Sequence, residues 1–455
     1  MLLLSALLLT FFPVAAAATP PNVIIVFTDD QGYGDVGVYG ATEFRTPHLD
    51  RMAREGARFT DFYVAAPVCT PSRAALLTGS HPVRVGLGRR VLFPYSNTGL
   101  HTDEITLAEL LKERGYTTGI VGKWHLGHHK KFLPMRQGFD SYFGIPYSND
   151  MGDHWYAREN FMAPPLPVLR NEERIEQQPD QNLLTQRYTK EAVRFIETNK
   201  DKPFFLYVPH SMPHWPLAAS SRFIGRSKLG IYGDAIEEID WSVGEILQTL
   251  KDQGIDDRTL VIFTTDNGAS LRPWQRRGYR PGSNGPLRGD KNTTWEGGMR
   301  VPAIMRWPGR IPAGLVQGEL ATAMDILPTV AKLAGTEAPQ DRILDGKDIW
   351  PLMSGQKGAK TPHDAFYYYR DEHLQAVRSG AWKLHVYRPD WGQSATQHKP
   401  LLFNLDSDVG EKNDVAANYQ DVVKRLQALA ERAREDLGDA ATGRRGRNLR
   451  PVGTL

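Results

Sequence analysis

One cysteine occurs in 455 residues, Cys69 in the stretch VCTPSRAALLTG. A lone thiol closes no internal disulfide, so it is kept either as a buried packing residue or for chemistry. The surrounding residues favour chemistry. Thr70 is placed to N-cap a short helix with Pro71 at its first position, and Gly79 suits the C-terminal stop. Cys69 then lies immediately before a helix N-terminus, where backbone N–H groups and a partial positive charge receive anions. Arg73 sits one turn in and adds a planar cationic fork. The pattern suits a nucleophile facing an anionic group, a thiolate being one form it can take.

Other chemistry-bearing residues fall into small sets. Asp29 and Asp30 are adjacent carboxylates that repel unless a cation neutralises them, and Asp266 and Asn267 offer further oxygens. An all-oxygen set suits a hard cation, Ca²⁺ or Mg²⁺, over a metal that wants thiolate or imidazole. Asp-Asn-Gly alone is an ordinary turn; its pairing with Asp29-Asp30 makes it a ligand candidate. Lys123 and His125 are two apart, so on an extended segment they share a face while Trp124 points away. With Arg73, Lys291 and His214 they would form a cationic bowl over a carboxylate-bound metal, a setting that stabilises developing negative charge. Taken singly, each lysine is equally well a surface residue. His210 reads as a strand-end histidine with no assigned role.

Elements must bring these sets together. NVIIVF (Asn22–Phe27), TTGIVG (Thr117–Gly122), PFFLYV (Pro203–Val208) and TLVIFT (Thr259–Thr264) read as buried parallel strands. Helical patterns lie between them: TPHLDRMAREG with Thr46 as N-cap, Pro47 first and Gly56 past the end; TLAELLKERG (Thr106–Gly115); and DAIEEIDWSVGEILQTLKDQG (Asp234–Gly254). The alternation predicts an α/β architecture, a mostly parallel sheet covered on both faces. Each apolar run empties into polar residues: Asp29-Asp30, Lys123 and His125, His210 and His214, Asp266-Asn267. Four segments thus deliver charged groups to one carboxyl edge, where sheets of this class bind ligands.

By length the chain is one large α/β domain with an appendage, or two or three ordinary domains. It is 41% hydrophobic and 24% charged, a globular composition, and a net charge of +3 is too near neutral for a nucleic-acid binder. The leader MLLLSALLLTFFPVAAAATPP has an apolar run followed by alanines, fitting a signal peptide over residues 1–18 cut near Ala17 or Ala18, although no Lys or Arg precedes the run. The run is short for a membrane span, so no membrane attachment is expected after cleavage. A catalytic domain is expected over 19–344. Beyond it AFYYYR, LQAVRSGAWKLHVYR and KPLLFNLDSD suggest a small antiparallel sheet, and NYQDVVKRLQALAERAREDLG an amphipathic helix, together a C-terminal α+β subdomain over 345–440. The basic, Gly-rich residues 441–455 read as a solvated mobile end.

C-T-P-S-R followed by A-A-L-L-T-G matches the Cys-x-Pro-Ser-Arg…Thr-Gly signature of type I sulfatases. NVIIVFTDDQGYGDVGVYG resembles that family's N-terminal metal strand, and GIVGKWHLG its Gly-Lys-Trp-His-Leu-Gly signature. TTDNG and GPLRGDKNTTWEGGMRVP resemble its later metal and lysine motifs, and LFNLDSDVGEKNDVA its C-terminal segment. The matches run in the family's order from about Asn22 to Ala416 and look closest to the arylsulfatase A and N-acetylgalactosamine-6-sulfatase branch. The resemblance implies an alkaline-phosphatase-like fold with a smaller C-terminal antiparallel subdomain. It also implies that a formylglycine-generating maturation enzyme converts Cys69 to formylglycine (3-oxoalanine), and that one Ca²⁺ sits among Asp29, Asp30, Asp266, Asn267 and the converted Cys69. By the same resemblance, hydrated formylglycine attacks sulfur with Asp266 as base, His214 and Lys291 assist the departing alcohol, and His125 deprotonates the second hydroxyl so that sulfate leaves. Two-zinc phosphatases of the related fold need a histidine where Asn267 stands, which disfavours that chemistry.

The expected substrate is a sulfated carbohydrate, with aryl sulfates as surrogates. Ser148 in GIPYSND matches a family position near the sulfate, and the loops Asp150–Asn160 and Leu271–Gly282 offer His154, Trp155, Arg272 and Trp274 to grip a sugar. Those loops read equally well as solvated tips. The missing disulfides and a lone sequon beside Lys291, Asn292-Thr293-Thr294, point to an exported bacterial protein, periplasmic or secreted. Two rivals stay open: a formylglycine-dependent phosphonate or phosphodiester hydrolase on the same scaffold, and a glycan-binding protein that is never matured.

Overall fold

The computed structural model describes residues 20–153, 163–271, 278–387 and 397–455. The leader 1–18 and the loop residues His154, Trp155, Arg272 and Trp274 lie outside them. Ten strands form one sheet: β1 (Asn22–Thr28), β2 (Ala57–Phe59), β3 (Thr117–Lys123), β4 (Ser141–Ile145), β5 (Pro167–Arg170), β6 (Glu173–Gln177), β7 (Phe204–Pro209), β8 (Thr259–Thr265), β9 (Ala303–Arg306) and β10 (Leu315–Gln317). Their order is β10-β2-β9-β8-β1-β7-β3-β4-β5-β6. The five in the middle, β8, β1, β7, β3 and β4, run parallel. β9 joins one side antiparallel, and β5 and β6 extend the other as an antiparallel pair. The expected mostly parallel sheet is therefore present, with the antiparallel pairings confined to its margins.

Alternation along β1 shows why its sequence is apolar throughout. Val23, Ile25 and Phe27 face one core and Ile24 and Val26 the other, and all five are fully buried. Seven helices matter to the layers: α1 (Pro47–Arg54), α2 (Cys69–Thr78), α3 (Leu107–Glu113), α4 (Leu184–Asn199), α5 (Ile231–Asp252), α6 (Ile326–Leu333) and α7 (Gln420–Asp436). Helices α2, α3 and α6 pack on the first face, α1, α4 and α5 on the second.

The helix ends correct two expectations. α2 begins at Cys69 itself, with Val68 in the N-cap position, so Cys69 opens the helix instead of preceding it. The Thr70 hydroxyl caps nothing; it donates to His125 O at 2.9 Å. Its oxygen accepts from Leu92 N at 3.1 Å, a tertiary donor in place of the local one. Thr46 does precede α1, but its hydroxyl accepts from Gly37 N at 2.7 Å and leaves the helix end uncapped. Thr106 behaves as its sequence suggests, closing a capping box with Glu109 at the head of α3. Gly79 ends α2 at φ +63°, the left-handed stop that favours glycine.

After the main sheet, β11 (Phe366–Arg370), β12 (His373–Ser379), β13 (Trp382–Tyr387) and β14 (Gln397–Asn404) form an antiparallel meander, with α7 packed on one face. The C-terminal end is not a solvated mobile tail. Gly453–Thr454 pair with Thr98–Gly99, and the Arg450 guanidinium holds Glu104 at 2.7 Å and Ser80 at 2.8 Å. Arg450 looks solvent-directed only while Glu104, far away in sequence, is out of view, whereas Arg444, Arg445 and Arg447 are exposed. Among the described residues no helix is long and apolar enough to cross a membrane.

Candidate active site

Register builds the acidic wall. Thr28 pairs with Thr265, so the next residues on the two strands, Asp29 and Asp266, emerge level at the carboxyl edge. Asp30 turns back with φ +63°, and its N–H donates to Asp266 Oδ1 at 3.1 Å. His125 (φ +60°) and Asn292 (φ +67°) are further non-glycine residues in this uncommon region, where strain tends to mark functional sites. Asn267 Nδ2 donates to Asp30 Oδ1 at 2.7 Å.

Cations close the other sides. Arg73 Nη2 lies 2.8 Å from Asp266 Oδ2 and 3.4 Å from Asp29 Oδ2, and Arg73 Nη1 donates to Lys123 O at 3.2 Å. Lys123 Nζ pairs with Asp29 Oδ2 and donates to Ser148 Oγ at 3.0 Å. Lys291 Nζ holds Asp30 Oδ1 at 2.7 Å. Cys69 Sγ sits at the centre, 3.4 Å from Asp29 Oδ1 and 3.6 Å from Lys291 Nζ. The site residues expected from sequence within the described segments, Ser148 included, thus converge. Lys291 and His214 keep more side-chain exposure, 12% and 11%, than Asp30 at 5%, which marks them as the face toward solvent. His210 does not join; its ring lies against Tyr188 and 3.3 Å from Ser242 Oγ.

The electrostatics follow from burial in a dense ion set. Burial would raise the Asp29 carboxyl, but Lys123, His214, Arg73 and Lys291 hold it well below the usual range. Burial, then Asp29, pushes Asp266 up. Burial, Asp266 and Asp29 push the Cys69 thiol well above its ordinary value, so the bare residue is a poor thiolate nucleophile. Burial, Lys123 and Arg73 hold His125 well below the usual imidazole range. Lys291, which burial alone would neutralise, is kept charged by Asp30 and its neighbours.

Histidine tautomers can be read from their acceptors. His125 Nε2 lies 2.9 Å from Leu92 O, and a carbonyl only accepts, so Nε2 carries the hydrogen. Nδ1 is buried without a partner and presents a lone pair. His214 Nδ1 likewise donates to Trp215 O at 2.6 Å, which leaves Nε2 toward Asp30 Oδ2 at 3.7 Å.

The donor set fits a hard cation. Asn267 Oδ1 is buried with no hydrogen-bond partner, beside the carboxylates of Asp29, Asp30 and Asp266. An orphaned carbonyl among carboxylates is what an oxygen-seeking ion uses. Ligand atoms of Asp29, Asp30, Cys69 and His214 also lie within 4.8 Å of one another. In that group the Cys69 sulfur occupies the position of whatever oxygen a converted side chain would carry.

Behind the Lys291 loop lies a set of residues that sequence reading missed: Glu296, Lys383, His385 and Glu411, all fully buried. No short motif joins them, since they come from segments up to 115 residues apart.

Comparison with known proteins agrees with the geometry. Residues 21–336 match the sulfatase family model, and 361–449 match the C-terminal region of aryl-sulfatase. N-acetylgalactosamine-6-sulfatase of Canis lupus familiaris is 41% identical over 460 residues, covering 91% of this chain and 86% of the relative. Steryl-sulfatase of Homo sapiens is 36% identical over 91% of this chain and 88% of its own. The crystal structure of Ps i-CgsB in complex with k-i-k-neocarrahexaose has a TM-score of 0.78 at 32% identity, over 91% of this chain and 92% of the other.

Proposed function

The chain belongs to the sulfatase family and is a sulfuric ester hydrolase, and on that footing we propose that it cleaves sulfate monoesters of a sulfated carbohydrate with a formylglycine made from Cys69 and one Ca²⁺ beside it. The observation that carries the proposal is the convergence on Cys69 Sγ of an oxygen-rich wall and a cationic one. Asp29, Asp30, Asp266 and Asn267 would hold the ion, whose chemistry is to polarise a sulfate oxygen and offset the carboxylate charge. A hydrated aldehyde at residue 69 would supply a nucleophile with a second hydroxyl on the same carbon, which a plain cysteine or serine lacks.

The chain's own side chains supply the rest. Arg73, oriented by Asp266 and Lys123 O, and Lys123, oriented by Asp29 and Ser148, bind and fix the sulfate oxygens. On the solvent side, Lys291 donates a hydrogen bond or a proton to the departing alcohol oxygen at Nζ, and His214, whose Nδ1–H is held by Trp215 O, does so at Nε2 in its doubly protonated form. His125 accepts a proton at Nδ1, the atom without a partner, because Leu92 O holds its Nε2–H. Asp266 acts as the base toward the nucleophile, as the family resemblance implies, while Asp29 Oδ1 lies 3.4 Å from Cys69 Sγ.

A sugar is favoured over other alcohols by the relative named for N-acetylgalactosamine 6-sulfate and by the neocarrahexaose-bound structure. His154, Trp155, Arg272 and Trp274 remain the proposed sugar contacts. We read the apolar leader as a signal for export to a bacterial periplasm or beyond, and a formylglycine-generating enzyme as the maturing partner. Sulfate release from defined sulfated mono- and disaccharides, set beside a steroid sulfate, an aryl sulfate and a phosphodiester, tests the reading. The highest kcat/KM should fall on a sugar sulfate. A phosphodiester turned over faster than every sulfate would replace the proposal with the diesterase reading.

A further inference from the structure

The C-terminal sheet meets the active-site apparatus around one buried lysine. Lys383 on β13 has no exposed side-chain surface. Its ammonium group has three donors and meets three acceptors: Thr294 O at 2.8 Å, Glu296 Oε1 at 2.9 Å and Glu411 Oε1 at 2.9 Å. Glu411 Oε2 accepts from Glu296 N at 2.7 Å, and its Oε1 also meets His385 Nε2 at 2.8 Å. On β11 the Tyr368 hydroxyl donates to Glu296 Oε1 at 2.8 Å, and on β12 Gln375 Oε1 accepts from Thr294 Oγ1 at 2.8 Å. Three strands of one sheet therefore grip a single stretch, 294–296.

That stretch belongs to the loop carrying Lys291. The loop's other end is tied to the catalytic edge: Lys291 N donates to Ala269 O at 3.1 Å and Asn292 N to Pro67 O at 2.9 Å. The loop folds tightly on itself; a Cβ at Gly298 would stand 2.0 Å from Thr293 O.

We propose that Lys383 is a positioning residue for the sulfatase reaction, and that through Lys383, Glu296, Glu411 and Gln375 the C-terminal sheet fixes Lys291 Nζ against Asp30 and Cys69. Apolar contact of equal volume would hold two layers together as well as a buried ion set does. The lysine adds direction: bonds to a carbonyl three residues from Lys291 admit one loop register. The inference rests on the proposed role of Lys291 at the departing oxygen.

Lys383→Met keeps the length and removes the charge. Its kcat and KM are measured with a sugar sulfate, a poor leaving alcohol, and with 4-nitrophenyl sulfate, a good one, alongside Tm and the converted fraction of Cys69. The expected result is a kcat loss of about 30-fold on the sugar sulfate and about 3-fold or less on the aryl sulfate, with KM within about 3-fold. A purely structural role would scale both substrates by one factor; that outcome, or no loss on either, overturns the proposal. Should Lys383→Met not fold, Gln375→Leu removes one bond to Thr294 and no charge, and a selective loss of about 5-fold is expected, equal or absent losses again overturning it. Lys291→Ala is the reference. Loss there without selectivity sinks the role of Lys291 and this inference with it, whereas selectivity there but not in Lys383→Met sinks the inference alone.

Discussion

Asp29 and Asp266 stand level because two paired strands end in register, Thr28 against Thr265. Lys291 faces them from a loop outside the sheet, steadied from behind by Lys383 and Glu411 of the C-terminal region. The acidic wall is thus held by backbone pairing that ten strands share, and the cationic lip by a few buried side-chain bonds. The first arrangement should keep its backbone through single substitutions while losing its chemistry. The second should yield in steps, as individual bonds to the loop are removed.

Substitutions can break the contrast in graded fashion. Cys69→Ala should lose about 10⁴-fold or more in kcat while Tm stays near that of the parent, since one small buried side chain replaces another. Retained turnover in that variant would remove Cys69 from the chemistry. On the acidic wall, Asp266→Asn should cost about 10²- to 10³-fold, leaving Arg73 short of a carboxylate. If the proposed Ca²⁺ is resident, a chelator should lower Tm by roughly 3 °C or more, because the repulsion among Asp29, Asp30 and Asp266 is then offset by side-chain cations alone, and added Ca²⁺ should restore it. A Tm indifferent to chelator would argue against a resident ion. On the lip, Lys291→Ala should cost about 10²-fold on a sugar sulfate and less on an aryl sulfate, read as a steeper dependence of kcat on leaving-group acidity.

The smallest effect concerns the same C-terminal region far from the chemistry. Arg84 is buried and binds Asp345 at 2.7 Å and Asp436 at 2.6 Å. Burial would raise Asp345, yet Arg84 holds its carboxyl below the usual range. The folded pKa is below the unfolded one, so this stabilisation is fully present above about pH 4 and is lost as pH falls through the folded value. The loss should be about 1 kcal/mol, with Asp436, about a third exposed, adding little. Denaturant melts of Arg84→Met between pH 5 and 3 should lack this part of the slope; an unchanged slope would place the acid sensitivity elsewhere.

Much of the acidic wall was legible in the sequence because each candidate ligand pair follows an apolar run with only threonine between: Phe27 and Thr28 precede Asp29, and Phe263, Thr264 and Thr265 precede Asp266. Parallel pairing turns that one-dimensional pattern into adjacency. Lys123 and His125 were legible for the same reason. Thr70 was misread because local propensity offers a cap, whereas Leu92 N, 22 residues away, donates to the hydroxyl oxygen and the hydroxyl donates to His125 O. Lys383 had no legible sign. In its own strand it looks like any lysine between apolar neighbours, and its burial is explained by partners far away in sequence, Thr294 and Glu296 before it and Glu411 after it. The tail was misjudged similarly: Arg450 reads as solvated until Glu104, 346 residues earlier, lies beside it.

The central claim is that a converted Cys69, set between these two walls, performs the reaction. Mass spectrometry of the Cys69 peptide, on preparations matured to different extents and assayed on the same sulfate ester, tests it most directly. The account predicts a peptide lighter by about 18 Da than the cysteine form, with sulfate release proportional to the converted fraction. Full activity in a preparation whose Cys69 remains an unmodified thiol would contradict it.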